Sequence, residues 1–530
     1  MSNNKMYIAI IVAAAIITVI SGIFLYQAFF GNDTEDYIPG FAENEPTQDS
    51  ENQESGDTTS TDETDDQTED PEDNDYDIPQ LEHLALYGPI TWHTPPTWDF
   101  HQVFNFNEGI AGVEYFEDGV WESMHILGYL NNHGEIIIPI EHRHYPEMYA
   151  YRGAPPFSQG LVAIRSEGHN AMGVFDTEGR LVVPFDYDWG WSFSEGLMAV
   201  RRGGWGQQPD GEWADTSQWG FIDQNGNEVI PLEFDRAGTF SDGLAPVMRY
   251  EYWGFINTSG EVVIPFTIGV PMTEGHGFLI YPSFSEGLAA VSINVGWEED
   301  ELGNWVDTTR WGFIDRQGNQ VVDFIYTHAN NFSYGVAIVR TGYQGYLDEN
   351  EEWVDATFRW GAIDHGRNIV IPFNYNWIGS FNEGVATAFF SDEQHSTGAI
   401  DTAGNIVIPP GRYQSIHVFS EGMAAVNNSR WVNDEWVQTG WGFVDRQGNE
   451  VIPLMFDQAR DFSQGFAAVA MGAWEETPSG EWVDNTRWGI IDREGNIVVP
   501  IIFNDVRSFS EGLAWVRYGE LWGLVEIAAR

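Results

Sequence analysis

WGFIDQNGNEVIPLEFDRAGTFSDGLAPV, residues 219–247, holds three short apolar runs, WGFID, VIPLEF and GLAPV, separated by residues that favour turns. WGFID and GLAPV are apolar on both alternating faces, as expected of strands covered on both sides. Pro231 cannot donate to a ladder, which places its run towards a sheet edge. Asp223 and Gly226 bracket a four-residue Asp-x-x-Gly segment whose spacing predicts a type I turn, with the carboxylate accepting from nearby backbone amides. No stretch of the body shows a long helical period, so the phrase predicts three strands and an all-β fold.

The phrase recurs about ten times at intervals of roughly 35 to 60 residues, the spacing of a repeat architecture. Its Phe-Ser-Glu-Gly part returns from Phe193, Phe240, Phe284, Phe332, Phe381, Phe419, Phe462 and Phe509, with weaker copies at Phe106 and Phe157. Its Trp-Gly part returns at Trp219, Trp253, Trp311, Trp360, Trp441, Trp488 and Trp522, and the Gly stays where Trp is replaced, as in ILGYLN, AMGVFD and TGAIDT. A retained Gly beside a large ring suits close approach of a second backbone, with Trp supplying packing area. One such unit cannot bury its own faces, so it must stack on its neighbours. Gly226, Gly318 and Gly448, at the ends of the turns, are expected at positive φ.

The recurring WGFIDxxGxxVIPxxFDxxxxFSEGLAxV pattern resembles the WG-repeat (KWG-repeat) family over about residues 100 to 530. The resemblance implies tandem three-stranded repeats and a binding or scaffold role, and carries no catalytic residue with it. The repeat domain is assigned to residues 81–530. A propeller-like ring and an open β superhelix both fit: the body begins with the tail of a unit, GPITWHTPPTWDF, and ends after WGLVEI just short of a third strand, so the start can supply what the end lacks.

Residues 6–30, MYIAIIVAAAIITVISGIFLYQAFF, carry no charge and exceed the roughly 20 apolar residues that cross a bilayer. The run is longer than the apolar core of a cleavable signal and ends in Phe29-Phe30 rather than at a small-x-small site, so a retained anchor is expected. Lys5 precedes it and an acidic tract follows. The positive-inside rule then puts residues 1–5 in the cytoplasm and the body outside the cell membrane. Residues 31–80 include SGDTTSTDETDDQTEDPEDNDYD and read as a disordered acidic linker.

Acidic residues outnumber basic ones 81 to 23 in 530 residues, a formal charge of -58, which excludes nucleic-acid binding as a reasonable function. Lys5 is the only lysine, and there is no cysteine, so disulfides and thiolate chemistry are absent. No nucleophile-elbow, zinc-protease or P-loop motif is present, and no cofactor is expected. His133, His142 and His144 are the crowded histidines, for which a solvated edge is the plainer reading and a metal site the sharper one.

Between the FSEG strand and the next Trp-Gly, some copies carry an insertion: QQPDGEWADTSQW, EDELGNWVDTTRW, DENEEWVDATFRW, VNDEWVQTGW and TPSGEWVDNTRW. Each reads as a hairpin with one recurrent tryptophan: Trp213, Trp305, Trp353, Trp436 and Trp482. Cross-strand packing is the plain account of these rings; a stacking surface for a cell-wall glycan or another protein is the functional one. Three functions remain open on this reading: an anchored binding scaffold, a cell-wall hydrolase using paired carboxylates, and a structural spacer.

Overall fold

A computed structural model describes residues 86–528, apart from 118–123, 145–153, 170, 208–212, 270–280, 294–295, 300–304, 344–345, 348–352, 355–356, 392–395, 433–434, 438, 479 and 481. The expected cytoplasmic tail, span and linker at 1–80 lie outside these residues. Among the described residues no helix is long and apolar enough to cross a membrane. They contain β structure and one short 3-10 turn at Glu167–His169.

The described residues form ten repeat units. Eight are separate antiparallel sheets of three or four strands, and a seven-stranded sheet joins two more. The unit is usually four-stranded, not three-stranded as its sequence suggests. In the unit at 236–268, a two-residue strand Arg236–Ala237 pairs with Val247 and Met248 before the three long strands follow. Two residues are too few for any alternation to be read, which is why the sequence hides this strand.

Between the short strand and the first long strand lies the FSEG phrase. Asp242 (φ 53°) and Gly243 (φ 79°) both have positive φ, and Ser241 bridges Leu244, so the loop is a two-residue type I′ hairpin. Gly226, Gly318 and Gly448 have φ of 81°, 81° and 74°, as the turn reading requires.

The Gly of the Trp-Gly pair has a different duty. A Cβ on Gly220 would lie 2.5 Å from the Ile230 carbonyl oxygen, one on Gly254 would lie 2.7 Å from that of Ile264, and one on Gly442 would lie 2.4 Å from that of Ile452. Each sits where the pairing with the outer strand shifts register, so the two backbones pass closer than any side chain permits.

Burial follows from stacking. Trp219, Phe221, Ile230 and Phe234 of one unit share a core with Ala237, Phe240, Val247 and Ile256 of the next. Burying each such large side chain contributes roughly 1.5–3 kcal/mol. Ser Oγ–H groups donate from unit to unit, from Ser194 to the Phe240 carbonyl at 2.7 Å and from Ser241 to that of Phe284 at 2.7 Å.

The succession returns to its start. Strand Ile90–Trp98 pairs antiparallel with Leu521–Ile527 and completes the last sheet, the exchange that the truncated ends of the body suggest. Phe100, Val103 and Phe106 share a core with Leu513, Trp515, Trp522 and Leu524. The indole N–H of Trp522 donates to the Phe100 carbonyl at 2.9 Å. The close approach is repeated too: a Cβ on Gly523 would lie 2.5 Å from the nitrogen of Pro96 in the closing strand.

Candidate binding face

Strand direction gives each unit two ends. At one lie the Glu-Gly and Asp-x-x-Gly turns; at the other lie the insertions. The Asp turns hold their own backbone. Asp223 Oδ1 accepts from the amides of Asn225 and Asn227 at 2.9 and 2.8 Å, and Asn227 Nδ2 donates to Oδ2 at 2.9 Å. That side-chain hydrogen bond, with the backbone amides, holds the Asp223 carboxyl below the usual carboxylate range.

The residue before Gly in each FSEG phrase reaches the next unit. Glu108 accepts from the Gly160 amide (2.7 Å), Gln159 from Gly196 (3.0 Å), Glu195 from Gly243 (3.0 Å), Asp242 from Gly287 (2.9 Å) and Glu286 from Gly335 (3.1 Å). Tyr334 Oη then accepts from the Glu383 amide (3.0 Å), Glu383 from Gly422 (2.7 Å), Glu421 from Gly465 (2.7 Å) and Gln464 from Gly512 (2.7 Å). Glu511 accepts from Gly109 at 2.6 Å and closes the cycle. The carboxylates among these residues are therefore occupied as caps. Arg446 adds an ion pair to Glu383 at 2.7 Å.

The opposite end carries five two-stranded ribbons: Trp205–Gln207 with Trp213–Asp215, Trp297–Glu299 with Trp305–Asp307, Tyr346–Leu347 with Trp353–Val354, Arg430–Val432 with Glu435–Val437, and Trp474–Glu476 with Trp482–Asp484. All five sequence-predicted residues, Trp213, Trp305, Trp353, Trp436 and Trp482, stand on the return strands of these ribbons. Trp482 is 60% exposed. The side chains of Trp213, Trp305, Trp353 and Trp436 lie outside the described set.

The sequence reading missed the partner aromatics. Trp474 pairs with Asp484 and Glu476 with Trp482, so Trp474 and Trp482 are diagonal neighbours on one ribbon face. Trp474 is also 60% exposed. The same register puts Trp205 with Trp213 and Trp297 with Trp305 on shared faces, and pairs Trp431 directly with Trp436. The signal was available: three of the ribbons have tryptophans eight residues apart, at 205 and 213, 297 and 305, and 474 and 482.

Each neck is fixed. Thr216 donates its amide and hydroxyl to the Gly204 carbonyl at 3.0 Å, and Thr308 does the same to Gly296 at 2.9 and 3.1 Å. Asp484 Oδ1 accepts from the Thr486 amide at 2.9 Å, while Arg487 donates to the Thr486 carbonyl at 2.7 Å. Tyr250, 86% exposed, and Tyr252 occupy this end where the unit at 236–268 replaces the ribbon with a tight turn.

One of the three crowded histidines departs from the expected solvated edge, and the side chain of His144 lies outside the described residues. His133 is exposed beside a turn, but His142 is buried against Phe175 and Phe185 rather than on a solvated edge. Burial lowers its affinity for a proton. No three potential metal ligands converge among the described residues. Among the described residues Glu114 is the one fully buried carboxylate, and it pairs with His125 at 2.8 Å inside the first unit.

Among solved structures the chain is similar to Citrobacter koseri AztD (TM-score 0.28, 10% identity, 82% of this chain and 96% of that one). It is also similar to Chaetomium thermophilum Sqt1 (0.29, 10%, 77% and 98%) and to the Neurospora crassa Pan2 WD40 domain (0.20, 10%, 64% and 88%). These are weak likenesses. No curated protein matches the chain. A family model described as "WG containing repeat" matches residues 172–204, 219–251, 253–268, 311–343, 360–389, 398–429, 441–473 and 488–522. By that eightfold match, and by the turn and glycine geometry that explains the motif, the chain belongs to the WG-repeat family.

Proposed function

We propose that this WG-repeat protein is a non-catalytic, membrane-anchored scaffold outside the cytoplasm, with a closed, propeller-like ring of ten units that presents its ribbon-bearing end to a protein or cell-wall partner. The observation that carries the reading is the pair Trp474 and Trp482, each 60% exposed on a ribbon whose neck is pinned by hydrogen bonds. Exposed tryptophan held on a rigid base suits recognition, because little side-chain entropy is lost on binding. The recurrent carboxylates support a binding role over hydrolysis, since they serve as turn formers and inter-unit caps. The anchor rests on residues 6–30 and their flanking charges.

Two measurements test this. Deleting residues 1–30 should release the body from membranes; persistence in the membrane fraction would refute the anchor. Replacing Trp213, Trp305, Trp353, Trp436 and Trp482 with Ala in the full chain should abolish retention on cell-wall material or on a cognate protein while the melting curve is kept. Unchanged retention would leave the spacer reading.

A further inference from the structure

Tryptophan in the body of this protein repeatedly meets arginine. The Arg460 guanidinium stands 4.7 Å from the Trp488 ring, Arg340 5.7 Å from Trp360, Arg201 5.9 Å from Trp219, and Arg507 and Arg517 5.8 and 5.6 Å from Trp522. These are cation–π pairs built within the chain. The ribbon at 474–484 offers the same ring to solvent twice, at Trp474 and Trp482, each 60% exposed, in a stretch that carries the opposite charge.

Between Trp474 and Asp484 the sequence WEETPSGEWVD contains four acidic residues and no cation. WEEDELGNWVD at 297–307 contains five and no cation, and WGQQPDGEWAD at 205–215 contains three and no cation. In each, register sets an Asp opposite the first Trp, and a Gln or Glu opposite the second. An exposed indole beside carboxylates attracts a cation twice, through the ring quadrupole and through charge, and a guanidinium adds planar stacking and forked donation.

Resting on the reading of this end as a binding face, we infer that its occupant is an arginine- or lysine-rich segment of a protein partner, gripped by several ribbons at once. The chain's own first 85 residues cannot serve, because they hold Lys5 as their sole Lys or Arg within a strongly acidic tract. Five ribbons on one end make avidity available, so individually weak contacts add when a single segment spans them.

The test uses the full chain in detergent and a labelled oligoarginine peptide, with binding followed by anisotropy at low and raised salt. The decisive variant changes Trp205, Trp213, Trp297, Trp305, Trp474 and Trp482 to Ala, which leaves the charge untouched. Affinity should fall at least tenfold in the variant, and the parent should lose binding as salt rises. Equal binding by parent and variant would overturn the inference, because attraction would then be diffuse charge alone. Competition by a neutral cello-oligosaccharide, insensitive to salt and lost in the variant, would also overturn it by making the occupant a glycan, while leaving the binding face intact. If the variant melts early, Glu298→Gln with Glu475→Gln serves instead. The expected result is a several-fold loss with the tryptophans in place, and no loss would overturn the inference.

Discussion

Glu511 Oε2 accepts a 2.6 Å hydrogen bond from the backbone amide of Gly109, two residues 402 positions apart in the chain. Nine equivalent contacts precede it along the repeats, so the last unit treats the first as its next neighbour. The glutamate manages this because its own φ is 51°, in the type I′ turn that aims its side chain across the gap. Glu511→Ala should therefore cost about 1 kcal/mol, as loss of a charge-assisted cap on a partly solvated amide. Faster hydrogen exchange at Gly109, with Gly160 unchanged, is the expected signature; equal exchange at both would show that the contact does not hold the junction.

Closure also depends on the strand Ile90–Trp98. Without it, Leu521–Ile527 becomes a free edge, and Trp515 loses the Trp98 ring that meets it edge-on at 5.6 Å. A chain lacking residues 86–98 should melt at lower temperature and bind a hydrophobic dye, with the earliest exchange in the last unit. A melting temperature equal to that of the full chain would contradict this role.

The glycine of Trp-Gly is retained in every copy, and geometry says why. At Gly254 a methyl group would lie 2.7 Å from the Ile264 carbonyl oxygen, so Gly254→Ala should destabilise by about 1–3 kcal/mol through forced separation of the two strands. The control is Gly287→Ala. Its Cβ meets no atom within 4 Å, so the cost there is the left-handed backbone alone, about 1 kcal/mol, at φ 81°. Denaturant midpoints would rank the two, and a reversed order would refute the close-approach account.

What could be read beforehand follows the range of each interaction. The turns at Asp223 and Gly226 were legible because four adjacent residues define them. The Trp-Gly glycine was legible as a close approach, though not which carbonyl it meets. The fourth strand, two residues long, carried no period to detect. The Glu-to-Gly caps were invisible for another reason: Glu108 and Gly160 are 52 residues apart, and a glutamate in a turn reads as solvated. His142 was misread because a polar side chain on a strand suggests a solvent-facing edge, whereas a ring packed on Phe175 and Phe185 is decided by the third dimension.

Trp474→Ala and Trp482→Ala should leave stability within about 0.5 kcal/mol, because each ring keeps more than half its surface in water. The buried Trp253, at 0% exposure, should cost about 3–5 kcal/mol when cut to Ala. Thermal melts would separate these outcomes. A large loss at Trp482 would mean that the ribbon tryptophans serve packing after all.

Acid should destabilise the body in two steps. His328 lies between the Trp311 and Trp360 rings, at 5.3 and 5.4 Å, and burial, reinforced by the charge of Arg340, lowers its pKa to about 4. The unfolded chain takes up this proton at about 6.5. Because the folded value is the lower one, the neutral ring's contribution is fully present above about pH 6.5 and is lost as pH falls towards 4, by about 3 kcal/mol at most. The turn carboxyls of Asp223, Asp315 and Asp364, lowered first by side-chain hydrogen bonds from Asn227, Asn319 and Asn368, stay charged through that window and lose their effect only below about pH 4. His328→Gln should therefore flatten the fall in denaturant midpoint between pH 6.5 and 4 while leaving the steeper fall below 4. A variant whose curve runs parallel to that of the parent through the upper window would show that His328 is not the group responsible.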